Sequence, residues 1–347
     1  MRSAAPNTTA YGPSARPRRR VLAVSLTLAA SLLAAACGGG SSDKASDNTG
    51  AGLERSDAGG STADITLPAK GEIQMGGKVV YGIEAETDSM LPTKARWAIA
   101  GQMYANAVFD PIAAYDKDGV PQPYLAQKIE PAADFRSWTL TARPGITFHN
   151  GEKLDGEAAK VFVEALVASN LTGPAARPIT NVRVAPDDPM TVIIELDTPW
   201  VAFPHLMTGQ GGLMPAPAQI KAEDGLKPIG TGPFVLKEWV KDNRFVASKN
   251  PNYWRKDAQG RQLPYLDEVE FRPLPDTQSR IDSLGAGTVN MLHESQGRSV
   301  SKLQADANAG EIQFILGGGE DEERFVLLNT NRAPLDDVRM RRALAHA

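Results

Sequence analysis

The sequence predicts a mixed α/β fold, on three observations. Short apolar-rich runs at Lys78–Ile83, Ser137–Arg143, Met190–Leu196 and Phe234–Trp239 read as strands. Residues 96–108 and 157–169 instead repeat apolar side chains at helical spacing. With 347 residues, 42% of them hydrophobic, the chain can bury a sizeable core, and its length suggests about two domains.

In chain order, the strand at Lys78–Ile83 leads through an irregular segment holding Asp88, Pro92 and Trp97 to a helix at Arg96–Val108, where Ile99, Met103, Tyr104 and Ala107 recur at helical spacing. Asp116-Lys117-Asp118-Gly119 suits a hairpin turn with Gly119 left-handed; the further oxygen ligands of a calcium loop are missing. Ser137–Arg143 and Met190–Leu196 enclose a helix from Glu157 to about Ser169, with Asp155 as N-cap and Ala158, Val161, Phe162, Ala165 and Leu166 on one face. Residues 199–217, with Gly209-Gln210-Gly211-Gly212, read as loop.

The stretch Gly230–Trp254 is the densest in signals. Two strands flank a turn at Asp242-Asn243, and the stretch closes on Asn250-Pro251-Asn252-Tyr253-Trp254. Gly230 and Gly232 permit positive backbone angles and close backbone approach. A dinucleotide loop would need a third glycine and a following helix; here Pro233 and a strand follow. Near the end, Asp336 or Asp337 can cap a helix whose face carries Met340, Ala343, Leu344 and Ala347.

The N-terminus reads as an address. Arg16 to Arg20 form a basic region before a 16-residue apolar run, Val21–Ala36, as in a signal peptide spanning residues 1–36. That run is short for a membrane span, which needs about 20 residues. Leu33-Ala34-Ala35-Ala36-Cys37 resembles a bacterial lipobox, with Ala34 where leucine is preferred, and implies a lipidated Cys37. Arg18-Arg19-Arg20 also fits a loose twin-arginine export pattern, with ordinary secretion favoured. Gly38–Lys70 is rich in Gly, Ser, Thr, Ala and Asp, too poor in apolar residues to offset its ordering entropy, so 37–74 is expected to be a tether.

Composition excludes several classes. The net charge is −4 and all five arginines of residues 1–36 lie outside the globular part, which is therefore more acidic still and unlike a nucleic-acid binder. One cysteine excludes an internal disulfide and a cysteine-built metal site. His149, His205, His293 and His346 are too scattered for local metal-ligand spacing and read as structural. With neither a Gly-x-Ser-x-Gly elbow nor a His-Glu-x-x-His helix, the sequence suggests no enzyme, no catalytic residue, no metal and no cofactor.

The Gly230–Trp254 stretch resembles the signature region of the peptide and nickel class of extracytoplasmic solute-binding proteins, family 5, which serve ABC importers. Upstream blocks agree in order: Val108-Phe109-Asp110-Pro111, Pro123-Tyr124-Leu125-Ala126, Trp138-Thr139-Leu140 and Arg143 to Gly151. Downstream, Leu263 to Val269 and Asn329 to Ala347 follow the same pattern. Ala158 departs from it, standing where an acidic residue is usual and leaving a local capping contact in doubt.

The resemblance implies a large periplasmic-binding-protein-like fold of mixed sheets with helices, of three-domain type with the third incomplete. Domain I would comprise 75–108 and 199–280, domain II 109–198, and domain III would begin at 281, so the chain resembles a C-terminally truncated member. It implies capture of a peptide or similar small solute outside the membrane and delivery to permease subunits with a cytoplasmic ATPase, by a monomer with no nucleic-acid partner. Lys94, Ala95, Arg96, Trp97 and Gln210 would bind the solute; read from its residue type alone, Trp97 equally suits packing against the sheet. The alternative is a surface-anchored lipoprotein of the same fold with an interaction or chaperone-like role.

Overall fold

The structure, a computed structural model, describes residues 53–54, 73–315 and 327–346, all within one compact unit, Asn48–Ala347. The leader, Cys37 and the expected tether lie outside the described residues, except for the backbone of Leu53–Glu54.

The elements run β1 (Leu53–Glu54), β2 (Lys78–Ile83), α1 (Ile99–Val108), β3 (Ala113–Tyr115), β4 (Pro121–Pro123), β5 (Ala126–Pro131), β6 (Ser137–Ala142), α2 (Gly156–Ala168), β7 (Ile179–Ala185), β8 (Asp188–Leu196), α3 (Phe203–Leu206), α4 (Gly209–Gly212), α5 (Pro217–Ala222), β9 (Phe234–Val240), β10 (Arg244–Lys249), β11 (Glu268–Pro273), α6 (Thr277–Gly285), β12 (Met291–Leu292), α7 (Gly297–Asn308) and α8 (Val338–His346).

The first sheet, ordered β1-β5-β6-β8-β7, is antiparallel throughout. Its pleat explains the apolar alternation: Trp138, Leu140 and Ala142 of β6 face inward beside Val192, Ile194 and Leu196 of β8. Helix α2 lies over β7 and β8 and buries Phe162, Val163 and Leu166 completely, each contributing about 1.5–3 kcal/mol. Its cap is the expected one, because an Asp155 carboxylate oxygen accepts from the Ala158 N–H at 2.9 Å. Ala158 itself is buried in the core, so the capping contact needs no acidic side chain there.

The second sheet, β12-β2-β11-β10-β9, is mixed: β2 runs parallel to β11 and β12, while β10 is antiparallel to β11 and β9. Helix α1 presses Tyr104 against Phe245 and Phe271 at ring distances of 5.2 and 4.8 Å. The β9–β10 turn forms where expected, with Asp242 left-handed at φ 57°. At the other expected turn Gly119 has φ 75°, and Asp116 accepts from the Asp118 and Val120 N–H groups.

Several expectations shift. Helix α1 begins at Ile99 instead of Arg96: residues 91–95 close a turn, with the Ala95 N–H on the Leu91 carbonyl, and Ala98 is extended ahead of the helix. Ile99 is exposed, and the buried face is Ala100, Tyr104, Ala105, Ala107 and Val108. The segment read as loop at 199–217 contains α3, α4 and the start of α5. Phe203, Met207, Met214 and Ala216 pack in the core of the first sheet, beyond the expected boundary at 198/199. Likewise β12, beyond residue 281, adds to the second sheet.

Candidate functional site

Gly230–Trp254 is a joint between the two sheets. Asp110 is buried at 3% exposure, and its carboxylate accepts from Thr231 Oγ1 at 3.0 Å, Tyr253 OH at 3.1 Å and Trp254 Nε1 at 3.0 Å. Burial pushes the Asp110 carboxyl up, against the pull of these three donors. A relay continues outward: Arg255 donates to Tyr124 OH at 2.8 Å, and Tyr124 and Tyr253 hydroxyls lie 3.3 Å apart.

Gly230 and Gly232 serve close approach, and neither has positive φ. A Cβ on Gly230 would lie 2.1 Å from the Val108 carbonyl oxygen, and one on Gly232 2.5 Å from the Val108 carbonyl carbon. The Gly232 N–H donates to the Val108 carbonyl at 2.9 Å, so β9 enters its sheet stitched to the end of α1. His149 closes the joint: Gly230 N–H donates to Nδ1 at 3.3 Å and Nε2 donates to the Gly232 carbonyl at 3.0 Å, the pattern of a neutral imidazole. Burial holds its pKa below the ordinary histidine value.

Residues 84–98 leave the carboxyl end of β2 without regular structure and are fastened by Gln210, Ser169 and Gln219 from outside and by Trp97 from within. Gln210 Nε2, on α4, donates to the carbonyls of Pro92 at 2.8 Å and Ala95 at 2.6 Å. Ser169 Oγ donates to the Thr93 carbonyl at 2.5 Å, Gln219 Nε2 to the Met90 carbonyl at 3.2 Å, and Trp97 Nε1 to the Ser89 carbonyl at 2.8 Å. The structure thus brings Gln210 together with 94–97, but both of its amide hydrogens go to the loop backbone. Ala95 was expected to face solute; it is 1% exposed, because the Gln210 bonds draw its backbone inward. Lys94 and Arg96 are exposed, Lys94 pairing with Glu223 at 2.5 Å, and half-buried Trp97 packs on the second core.

Beside this loop, three parallel strands end together, β2 at Ile83, β11 at Pro273 and β12 at Leu292, followed by Glu84, Leu274 and His293. Arg280 of α6, 2% exposed, fastens them: it donates to the carbonyls of Leu274 and His293 and pairs with Glu294 at 2.6 Å. His293 Nδ1 lies 3.1 and 3.0 Å from the two Glu84 oxygens, and since a carboxylate only accepts, Nδ1 carries the hydrogen. Burial works against the Glu84 charge, but the His293 bond, a backbone N–H and the charge of Arg280 outweigh it and hold the carboxyl below its usual range. Sequence reasoning singled out none of Glu84, Arg280 and Glu294 and read His293 as structural: Glu84 and His293 are 209 residues apart, and the 14-residue spacing of Arg280 and Glu294 follows no local motif.

A family model for bacterial extracellular solute-binding proteins, family 5 (middle), matches residues 120–347. The chain belongs to that family. This family 5 chain is 29% identical over 254 residues to the nickel-binding periplasmic protein of Escherichia coli strain K12, covering 71% of this chain and 47% of the relative. It is 26% identical over 275 residues to the glutathione-binding protein GsiB of Salmonella paratyphi A, covering 78% and 51%. Among solved structures it resembles NikA from Brucella suis in complex with Fe(III)-EDTA, with TM-score 0.63 and 23% identity over 78% of this chain and 54% of that one. It also resembles the dipeptide-binding protein of Pseudoalteromonas sp. SM9913 in complex with Met-Leu, with TM-score 0.59 and 21% identity over 78% and 57%. The fold is therefore the α/β periplasmic-binding-protein fold. The chain spans about half the length of the curated relatives it matches.

Proposed function

We propose that this family 5 chain captures a peptide or similar small solute outside the cell and hands it to an ABC permease driven by a cytoplasmic ATPase. The observation that carries this reading is the fixed loop 84–98 at the carboxyl ends of the parallel strands, the end of an open α/β sheet where ligands bind, in a chain of this family. Lys94, Arg96 and Trp97 supply contacts there, and Gln210 and Ala95 hold the loop in place. Domain closure encloses the solute by hinge motion, with no chemical step. Cys37 carries the lipid that keeps the protein at the outer face of the membrane, with 37–74 as tether.

Mass spectrometry of small molecules released on denaturing the purified protein tests the reading. A peptide or comparable solute absent from a mock purification is expected. Finding nothing retained, together with no rise in Tm across a di- and tripeptide library, would overturn it.

A further inference from the structure

The acidic groups at the parallel strand ends are not equivalent. Glu294 is matched by Arg280 at 2.6 Å, both 2% exposed, and its second oxygen accepts from the Gln296 N–H at 2.8 Å. Glu86 is also engaged at both oxygens, by Trp239 Nε1 at 2.7 Å and the Asp242 N–H at 3.0 Å. Glu84 differs: its side chain is 30% exposed, and the side chain hydrogen-bonded to it is an imidazole. The imidazole fixes the carboxylate's orientation through Nδ1, and the carboxylate stays partly open to solvent where Glu294 is buried against a guanidinium. The orientation is itself fixed, since Arg280 Nε holds the His293 carbonyl at 3.1 Å and Asn290 ties β12 to β2 through its bond from the Val80 N–H at 2.9 Å. The result is a preorganised, half-exposed anion at the end of a sheet where a ligand docks.

We infer that Glu84 is a specificity-determining residue that receives a positively charged nitrogen of the solute, an ammonium or guanidinium group, with His293 and Arg280 as its positioning residues. This rests on the solute-capture reading above and adds the charge class of the solute to it. A charge-assisted hydrogen bond of this kind favours a cationic over a neutral probe by at least about tenfold.

The test is calorimetry on the full chain with three probes: Ala-Ala-Ala, N-acetyl-Ala-Ala-Ala and N-acetyl-Ala-Lys-Ala. One or both cationic probes should bind at least about tenfold more tightly than the acetylated trialanine. A preference for the free amino terminus and one for the lysine side chain identify which nitrogen is read. Glu84→Gln should bring the ratio to about one, and Glu84→Asp, which keeps the charge but draws it back, should leave it intermediate. Equal binding of all three probes by the unmodified protein, or a preference that survives both substitutions, overturns the inference and leaves solute capture standing. If no probe binds the unmodified protein, the inference falls, and solute capture is decided by the mass-spectrometric and Tm measurements above. Should Glu84→Gln fail to fold, Glu84→Asp decides, an undiminished ratio counting against the inference.

Discussion

At the residue scale, Asp110 shows what a single buried carboxylate can organise. Three donors from the Gly230–Trp254 stretch converge on it; without it Thr231 Oγ1 and Trp254 Nε1 lose their acceptor, while Tyr253 OH keeps only the longer contact to Tyr124 OH. Asp110→Ala is expected to cost upwards of about 3 kcal/mol, the penalty of several unsatisfied buried donors. Asp110→Asn keeps an acceptor for Thr231 and Trp254 and loses only the bond from Tyr253, about 1 kcal/mol. Urea denaturation of the two variants checks the order; equal losses would mean that the donors find other partners. His149 makes a second residue-scale prediction. Its depressed pKa means that the fold binds fewer protons here than the unfolded chain, so the stability it contributes is present above the ordinary histidine value of about 6.5 and is lost as pH falls below it. Protonation would also set a hydrogen against the Gly230 N–H. Thermal melts from pH 7.5 down to 5 should show Tm falling faster in the unmodified protein than in His149→Gln.

At the element scale, the approach of β9 to α1 depends on having no side chain at two positions. A methyl on Gly232 meets main-chain atoms of Val108, which cannot rotate away as a side chain would. Gly232→Ala is therefore expected to cost at least about 1–3 kcal/mol, as overpacking does elsewhere. A glycine on the surface such as Gly260, whose added Cβ would meet nothing within 4 Å, is a poor control because its φ is 77°. Gly285 is open and unstrained, and Gly285→Ala should be neutral or slightly stabilising in the same melts. A Gly232→Ala protein as stable as the original would show that β9 can shift away from Val108. Helix α1 starts late for a related reason: bonds from Gln210, Ser169 and Trp97 fix the carbonyls of residues 89–95 outside the helix, outweighing helical spacing that is present in the sequence.

At the scale of the whole molecule, two cores share one unit, one around the antiparallel sheet and one around the mixed sheet, with the Asp110 joint between them. Helix α8 contributes no buried residue, and Val338, Met340 and Leu344 are 46, 43 and 55% exposed, so the apolar stripe expected at Met340, Ala343 and Leu344 is bare. The prediction at this scale concerns attachment. A lipid on Cys37 would keep the protein with membranes through washing in high salt, since acyl burial is not screened as charge is. Cys37→Ser should release it to the soluble extracytoplasmic fraction, and unchanged fractionation of that variant would exclude the anchor.

What the sequence determined by itself is what short-range physics encodes. Apolar periodicity foretold β2, β6, β8 and the body of α2; Asp155 foretold its cap, and Gly119 and Asp242-Asn243 foretold two turns. The ordered blocks around Asp110, Trp138 and Gly230 also placed the chain in its family, because each block is contiguous. Only the tertiary structure could show that Asp110 lies under Thr231, Tyr253 and Trp254, which are 121, 143 and 144 residues away. The Glu84–His293 pair, 209 residues apart, is of the same kind, as is the bond of Gln210 Nε2 to the Pro92 and Ala95 carbonyls. Periodicity reports which face of an element is buried, but it carries no information about which distant element covers that face. Polar partners are chosen by the chain's path, and so the fold class was legible while the charged groups at the strand ends were not.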